Sequence, residues 1–244
     1  IWCCILNFGG NAGMEGNLTR ISKDFGALLA NPEHGRLAGV GLVPEGSHTN
    51  PISYELVTEM AWRGAPADLQ AWTENYLRAR YGRASAPAAA AWMLMLACNY
   101  NVDSGESPAN SVVAAAPKFD DNLRGRTWGT GQIAYDNGQL AAAWGKLLEA
   151  APELGAADTY RYDLADISRQ VLCNLSRPVY EQMVSAYQAR DRAAFSLASR
   201  RLLGLIADVE TLTATRPEWL MGKWVADARA WGRDEESWLI YRGE

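Results

Sequence analysis

The chain has 244 residues, 48% of them apolar, and a formal net charge of −5. The apolar share is enough for a substantial core and excludes a disordered chain. The acidic balance argues against nucleic acid or an anionic membrane surface as a partner, and no apolar run is long enough to span a bilayer.

The first quarter of the chain alternates predicted strands and helices. Residues 1–7 form a strand-like apolar run, the glycine turn "FGGN" follows, and residues 17–30 carry apolar side chains at helical spacing. Residues 37–44 predict a second strand, and residues 52–63 predict a second helix. This alternation is typical of an α/β barrel or a doubly wound sheet.

Two strands cannot complete either architecture, so we expect these residues to be part of a longer protein. The chain begins without Met, already inside a strand-like run. It also stops at "WLIYRGE" without a helix-ending signal, which supports the same expectation.

From residue 65 onward only helices are predicted. The first of these helices has Leu69, Trp72, Tyr76 and Arg80 on one face. Four more helices are predicted at residues 87–100, 138–151, 160–190 and 192–213. The last helix begins at Pro217, and its apolar stripe is Leu220, Trp224, Ala228 and Trp231. Residues 87–100 are apolar almost all round, which predicts a buried helix. Pro178 should kink or break the helix at 160–190. Residues 101–131 predict a long loop.

The strongest candidate for chemistry is Glu45, within "GVGLVPEGSHTNP" at residues 39–51. A run of small and branched apolar residues leads to it, and a turn follows. In barrels of parallel strands, catalytic groups lie at the carboxyl ends of the strands. A single Glu in a loop can equally be solvated, and the strand before it is what favours a catalytic nucleophile or base.

A second candidate is "NFGGN", Asn7 to Asn11, which also follows a predicted strand. It can be a plain turn, because paired glycines mark turns. It can also present two amides and an aromatic ring to a ligand. The residues alone leave both interpretations open.

Glycosidases use two carboxyl groups, and this chain offers only one at a strand end. Glu15 falls in the loop before the first predicted helix, and Glu55 and Glu59 share one face of the second and should be solvated. His34 and His48 have no Ser or Cys partner at a telling spacing.

The cysteines argue against a metal centre. Cys3, Cys4, Cys98 and Cys173 form neither a C-x-x-C pair nor a cluster with His, so no zinc site is expected. Adjacent Cys3 and Cys4 are predicted to be small buried residues of a strand rather than half of a disulfide framework.

Four stretches together resemble the alpha-N-acetylglucosaminidases of glycoside hydrolase family 89. They are "WCCILNFGGNAGMEGNL", "GVGLVPEGSHTNPISYELVTEMAWR", "DLQAWTENYLRARYG" and "YRYDLADISRQVL". They occur in the family's order with similar gaps, and the resemblance covers nearly the whole chain. The first two stretches are specific, and the two helical ones are weaker singly. Leu6 stands where some relatives carry His, which bears on fine specificity.

The resemblance implies a fold and a division of the chain. Residues 1–64 would be the last strands and helices of a (β/α)8 barrel, and residues 65–244 an all-α domain, so that the whole is mostly helical. It also implies an extracytoplasmic, secreted or lysosome-like protein.

The resemblance further implies an activity: exo-hydrolysis of terminal alpha-linked N-acetylglucosamine with retention of configuration. Glu45 would be the nucleophile, and Ile5, Asn7 and Phe8 would line the sugar pocket. The acid/base Glu belongs to an earlier strand that this chain lacks, so we expect the chain alone to be inactive. The partner would be a carbohydrate with a terminal N-acetylglucosamine, and no cofactor or metal is implied.

Two other hypotheses remain. The helical part can be a carbohydrate-binding or packing module without activity, or a helical scaffold whose front strands are incidental. A scaffold has no use for "LVPEG" at a strand end, so that motif favours the glycosidase.

Overall fold

The computed structural model describes residues 1–5, 13–44, 50–63, 65–103, 111–114, 119 and 132–232. Two strands and nine α-helices form this part of the chain. Their bounds are β1 Trp2–Cys4, α1 Leu18–Ala30, β2 Val40–Leu42, α2 Pro51–Met60, α3 Leu69–Tyr81, α4 Ala86–Ala97, α5 Asn137–Glu149, α6 Ala151–Leu154, α7 Asp158–Gln188, α8 Arg192–Thr213 and α9 Met221–Trp231. A 3-10 turn at Pro217–Trp219 precedes α9.

The front of the chain is a β-α-β-α unit. β1 and β2 pair in parallel, with Cys3 opposite Gly41, and α1 connects them. Among the described residues each strand has three residues, which lie within the predicted runs 1–7 and 37–44. α1 begins after Asn17, whose side chain accepts a hydrogen bond from the Arg20 backbone N–H at 2.8 Å.

One hydrophobic core joins the front to the helices after residue 65. Leu18, Ile52 and Leu56 of α1 and α2 belong to the same buried cluster as Trp92 of α4 and Leu147 of α5. A smaller cluster lies between α7 and α8. The barrel-like front is therefore packed on the helical part rather than tethered to it.

Two predictions about burial, one for Cys3 and one for the helix α4, are wrong. Cys4 is buried, as predicted, but Cys3 is exposed, because adjacent strand residues face opposite sides and only one side is covered. α4 buries one face, with Ala91 and Trp92 inside, whereas Leu94 is 36% exposed. All four cysteines are free thiols.

Pro178 was predicted to kink or break α7. The helix runs unbroken through Pro178, so a break is wrong, and a kink stays a prediction. A proline removes one hydrogen bond and crowds the carbonyl four residues back. Beyond Pro178, the side chains of Tyr180, Met183 and Val184 are buried in the cluster shared with α8. That packing offsets the local cost and holds the helix together.

The last helix differs from its prediction. Pro217 opens the 3-10 turn, and α9 starts four residues later. The predicted apolar stripe is not buried: Trp231 is 78% exposed, and no residue of α9 is buried. Among the described residues, no helix combines the length and apolar character needed to cross a membrane.

Candidate active site at the ends of β1 and β2

Three of the four predicted site residues lie outside the described residues, namely Glu45, Asn7 and Phe8. The fourth, Ile5, follows β1 directly and is 49% exposed. The described residues that flank the two candidate segments, 6–12 and 45–49, define where the site can be.

The two segments leave the sheet at neighbouring points. Cys4 lies opposite Leu42, and the Val43 backbone N–H donates to the Cys4 carbonyl at 3.1 Å. Because the two strands are parallel, the backbone leaves both of them in the same direction at this edge of the sheet. The resemblance-based nucleophile and pocket residues thus follow adjacent strand ends, the position of chemistry in parallel barrels.

The two segments also rejoin the described structure side by side. Gly13 is the first described residue after segment 6–12, and Asn50 is the first described residue after segment 45–49. The Asn50 side-chain Nδ2 donates to the Gly13 carbonyl at 3.0 Å, and Asn50 is fully buried. Asn50 also accepts a hydrogen bond from the Tyr100 hydroxyl at 3.1 Å.

Residues 13–16 are held by buried amides from the helical part. The Met14 backbone N–H donates to Gln170 Oε1 at 2.8 Å, and Asn99 Nδ2 donates to the Met14 carbonyl at 3.2 Å. Gln170 Nε2 donates in turn to Asn174 Oδ1 at 2.9 Å, and Asn174 Nδ2 donates to the Tyr135 hydroxyl at 3.1 Å. The segment following the candidate loop is therefore fixed by α4 and α7 neighbours far along the chain.

Glu15 is a buried carboxyl that the sequence interpretation passed over. It is 6% exposed, and loss of hydration on burial raises its pKa from the ordinary 4.5 to about 7. Burial raises the pKa of Tyr135, and the charge of the nearby Glu15 carboxylate adds to that rise. The only sequence signal is its setting, "GMEGNL", where an acid stands among small and apolar residues just before a helix cap.

Burial of Glu15 predicts a pH-dependent stability. Because the folded-state pKa is raised, the native chain binds the proton more tightly than the unfolded chain. Stability contributed by Glu15 is therefore greatest below pH 4.5 and is lost as pH rises to about 7. We expect Glu15→Gln to raise the free energy of unfolding at pH 8 by about 2–3 kcal/mol, with little change at pH 4.5.

The measurement is urea unfolding of parent and variant at both pH values, followed by circular dichroism. Glu33→Gln, at an exposed glutamate between α1 and β2, is the matched control. An equal gain from the two substitutions at pH 8 would contradict the assignment of the effect to burial of Glu15.

The two glutamates of α2 have different surroundings. Glu55 is exposed, as predicted. Glu59 is not simply solvated: it accepts hydrogen bonds from Trp72 Nε1 at 2.5 Å and Arg63 Nε at 2.7 Å. It therefore ties α2 to α3 and is engaged in structure rather than in a site.

No group of three or more His, Cys, Asp or Glu side chains converges as metal ligands among the described residues.

Comparison with known families identifies the family of the chain. The family model for the alpha-N-acetylglucosaminidase (NAGLU) C-terminal domain matches residues 72–242, and the model for the NAGLU TIM-barrel domain matches residues 1–64. The chain belongs to the alpha-N-acetylglucosaminidase family. The predicted fold class, the last strands and helices of a (β/α)8 barrel followed by an all-α part, is confirmed.

Relatives within the family extend well beyond this chain. Human alpha-N-acetylglucosaminidase is 34% identical over 94% of the chain, which spans 30% of that protein. A family 89 glycoside hydrolase from Clostridium perfringens, in complex with 2-acetamido-1,2-dideoxynojirimycin, is 33% identical with a TM-score of 0.91. The match covers 98% of this chain and 27% of the bacterial one.

A further structure of the bacterial enzyme bears on the chemistry. In it, two glutamates are replaced by glutamine, and the protein holds its substrate GlcNAc-α-1,4-galactose. It is 32% identical to this chain, with a TM-score of 0.88.

Proposed function

We propose that these residues supply the nucleophile and one wall of the sugar pocket of a retaining exo-glycosidase that removes terminal alpha-linked N-acetylglucosamine. The observation that carries the proposal is the hydrogen bond from the Val43 N–H, two residues before Glu45 in the sequence, to the Cys4 carbonyl at the end of β1. A carboxylate beside two parallel strand ends is suitably placed for attack on a sugar.

In the proposed first step, a Glu45 carboxylate oxygen attacks the anomeric carbon from the face opposite the leaving group. The bond from that carbon to the glycosidic oxygen breaks, and a second carboxylic acid of the complete protein protonates the departing oxygen. In the second step the second carboxyl group, now ionised, removes a proton from water, and the water oxygen attacks the anomeric carbon and displaces Glu45. Two inversions return the alpha configuration.

Ile5, Asn7 and Phe8 are proposed to contact the N-acetylglucosamine. The exposed Ile5 side chain offers an apolar surface directly after β1. An amide at residue 7 can exchange hydrogen bonds with sugar hydroxyl or acetamido groups, and a ring at residue 8 can pack on a sugar face. We also propose that the barrel part ends at residue 64 and the helical domain begins at residue 65.

The test is an assay of the complete protein that contains this sequence on an aryl alpha-N-acetylglucosaminide. We expect hydrolysis, with alpha-N-acetylglucosamine as the first product seen by proton NMR. The 244-residue polypeptide by itself is expected to give no turnover, because a retaining site needs two carboxyl groups about 5–5.5 Å apart and Glu45 is its one candidate.

Three other outcomes would contradict the proposal in different ways. A beta product would exclude retention. Binding of the glycoside by the complete protein without turnover would favour the carbohydrate-binding module. Full turnover by residues 1–244 alone would show that the second carboxyl group lies within this chain.

A further inference from the structure

A cavity lies where the barrel-like front meets the helices that follow residue 65, and we call it the junction cavity. Its volume is about 280 Å³, and its lining includes Pro51 of α2, Arg80 of α3, Asp158 and Tyr162 of α7, and Arg216 and Glu218 just before α9. Ligand pockets occur preferentially at junctions between parts of a protein. This one is smaller than the roughly 300 Å³ or more of a pocket for a drug-sized ligand, so it suits a smaller ligand.

The junction cavity borders the side of the sheet where the strands end. α2 follows β2 in the chain, so its first residue, Pro51, stands at that edge. Cys4 and Leu42, the last residues of β1 and β2, mark the same edge. The cavity is therefore on the face where parallel barrels carry their chemistry.

Arg216 is held firmly at one wall of the cavity. Its side chain is 8% exposed. Nη1 and Nη2 donate to Asp158 at 2.9 and 3.2 Å, and Nε and Nη2 donate to Glu218 at 3.1 and 2.8 Å. The guanidinium carbon also lies 5.6 Å from the centre of the Tyr162 ring. Paired, charge-assisted hydrogen bonds of this kind fix the orientation of both carboxylates.

The two carboxylates keep acceptor capacity for a ligand. A carboxylate has about four acceptor positions, and the hydrogen bonds from arginine leave part of that capacity unused. Hydrogen bonds from Arg216 and Arg161 lower the pKa of Asp158 to about 2, and those from Arg216 lower the pKa of Glu218. Both groups are therefore ionised acceptors at neutral and mildly acidic pH.

Arg80 contributes donors to the cavity. Its Nε and Nη2 donate to Asp163, each at 2.6 Å, and among the described residues its Nη1 has no acceptor. The two N–H groups of Nη1 can therefore meet oxygen atoms of a ligand.

This set of groups favours a neutral ligand rich in hydroxyl groups. Two guanidinium groups and two carboxylates line the cavity, so an anion would be repelled by the carboxylates and a cation by the arginines. A sugar hydroxyl donates and accepts, so it can bind a carboxylate and a guanidinium at once. The Tyr162 ring can pack on the C–H surface of a sugar.

We propose that the junction cavity is a carbohydrate subsite for the sugar that is linked to the terminal N-acetylglucosamine. Asp158 and Glu218 accept hydrogen bonds from hydroxyl groups of this second sugar, and Arg80 donates to its oxygen atoms. The inference rests on the proposed function, because a glycosidase acting at the strand ends must accommodate the second sugar next to the terminal one.

The principal test is Asp158→Asn in the complete protein. Asn has the same size, but it carries no charge and has a single acceptor oxygen. The two substrates are GlcNAc-α-1,4-galactose, the disaccharide held in the bacterial structure, and an aryl alpha-N-acetylglucosaminide, which has no second sugar. We expect the ratio of kcat/KM for the disaccharide to kcat/KM for the aryl glycoside to fall about 10-fold, the usual effect of losing a hydrogen bond to a charged group.

This ratio separates binding of the second sugar from a purely structural role of Asp158. Weaker pairing with Arg216 would loosen the contact between α7 and the residues before α9, and both kcat/KM values would fall together. An unchanged ratio would therefore overturn the proposal.

The matched control is Glu149→Gln. Glu149 is also paired with a cation, since Lys146 Nζ donates to it at 2.9 Å, but it lies on α5 and does not line the junction cavity. The substitution removes the same charge from an exposed ion pair, so we expect the ratio to stay within about 2-fold of the parent.

Glu218→Gln is a second variant that guards against a folding failure of Asp158→Asn. It leaves the hydrogen bonds between Arg216 and Asp158 in place. We expect the same ratio to fall about 10-fold, because one acceptor oxygen of the cavity becomes a donor.

Saturation-transfer NMR measures binding of the disaccharide without turnover. The spectra are recorded with complete protein that carries Glu45→Gln, so that the disaccharide is not consumed. We expect saturation to reach the galactose protons, to weaken there when Asp158→Asn is added, and to be unchanged when Glu149→Gln is added. A lack of saturation at galactose, or equal losses from the two substitutions, would contradict the subsite.

The outcomes separate this inference from the proposed function. If the parent hydrolyses neither glycoside, the proposed function fails, and the NMR data then decide by themselves whether the cavity binds the sugar. If the parent hydrolyses both glycosides and neither Asp158→Asn nor Glu218→Gln changes the ratio, the proposed function stands and the subsite is excluded.

Discussion

Replacing Glu45 with Gln in the complete protein should lower kcat on an aryl alpha-N-acetylglucosaminide by about 1,000-fold or more. Gln keeps the shape of the side chain but cannot form the glycosyl ester. The fold should be unchanged, as judged by circular dichroism and thermal unfolding. Glu55→Gln, at an exposed glutamate of α2 ten residues later, is the control and should keep the parent activity.

Azide rescue distinguishes a nucleophile from an acid/base group at this position. In Glu45→Ala, azide can enter the space left by the carboxylate and attack the anomeric carbon as the aryl group departs. A bond from that carbon to nitrogen forms, and the bond to the aryl oxygen breaks. The expected product is the beta-glycosyl azide, with inverted configuration.

An alpha-glycosyl azide would instead assign Glu45 the acid/base role, because azide would then attack the intermediate formed by another nucleophile. Retention of most of the parent turnover in Glu45→Gln would remove Glu45 from the chemistry altogether.

Removing the Asp163 carboxylate should lower the free energy of unfolding by about 3–5 kcal/mol. Arg80 of α3 donates to Asp163 of α7 through Nε and Nη2, each at 2.6 Å, and the Tyr81 hydroxyl donates to the same carboxylate at 2.8 Å. Asp163 is buried, so Asp163→Ala leaves the Arg80 charge and the Tyr81 hydroxyl without their acceptor.

The measurement is chemical unfolding of the parent and Asp163→Ala, followed by circular dichroism. The double variant Arg80→Met with Asp163→Ala should lose less stability than Asp163→Ala, because no uncompensated charge remains. Asp227→Ala, which breaks the exposed ion pair with Lys223 on α9, serves as the control and should leave stability unchanged. Equal losses of unfolding free energy from Asp163→Ala and Asp227→Ala would show that burial does not increase the contribution of the Arg80–Asp163 pair to stability.

Local patterns in the sequence predicted most elements. The spacing of Leu18, Ile21 and Phe25 placed α1 correctly, since a helix with one buried face must repeat its apolar residues at that interval. Pro178 shows the limit of local rules: its cost is about 3 kcal/mol at one point, whereas the helix beyond it packs against α8 and the helix before it packs in the main core through Ile167 and Val171.

The last helix shows that a correctly predicted apolar pattern does not by itself predict burial. Its apolar stripe was predicted correctly as a pattern, but burial depends on a neighbouring element. In the described part of the chain, Trp224 and Trp231 are both exposed. Periodicity tells which face of a helix is apolar and does not tell what covers that face.

For the candidate site, the sequence by itself determined the residue types and their order: a carboxylate and an amide-rich turn, each directly after a strand. Local chemistry suffices there, because strands, turns and acids have recognisable patterns. Only the tertiary structure decided that both strand ends are adjacent, that Glu15 is buried, and that Asn50 meets Gly13 and Tyr100. These contacts join residues 37 and 50 positions apart. Burial and hydrogen bonding at such separations are set by how helices pack on the sheet, which no local pattern encodes.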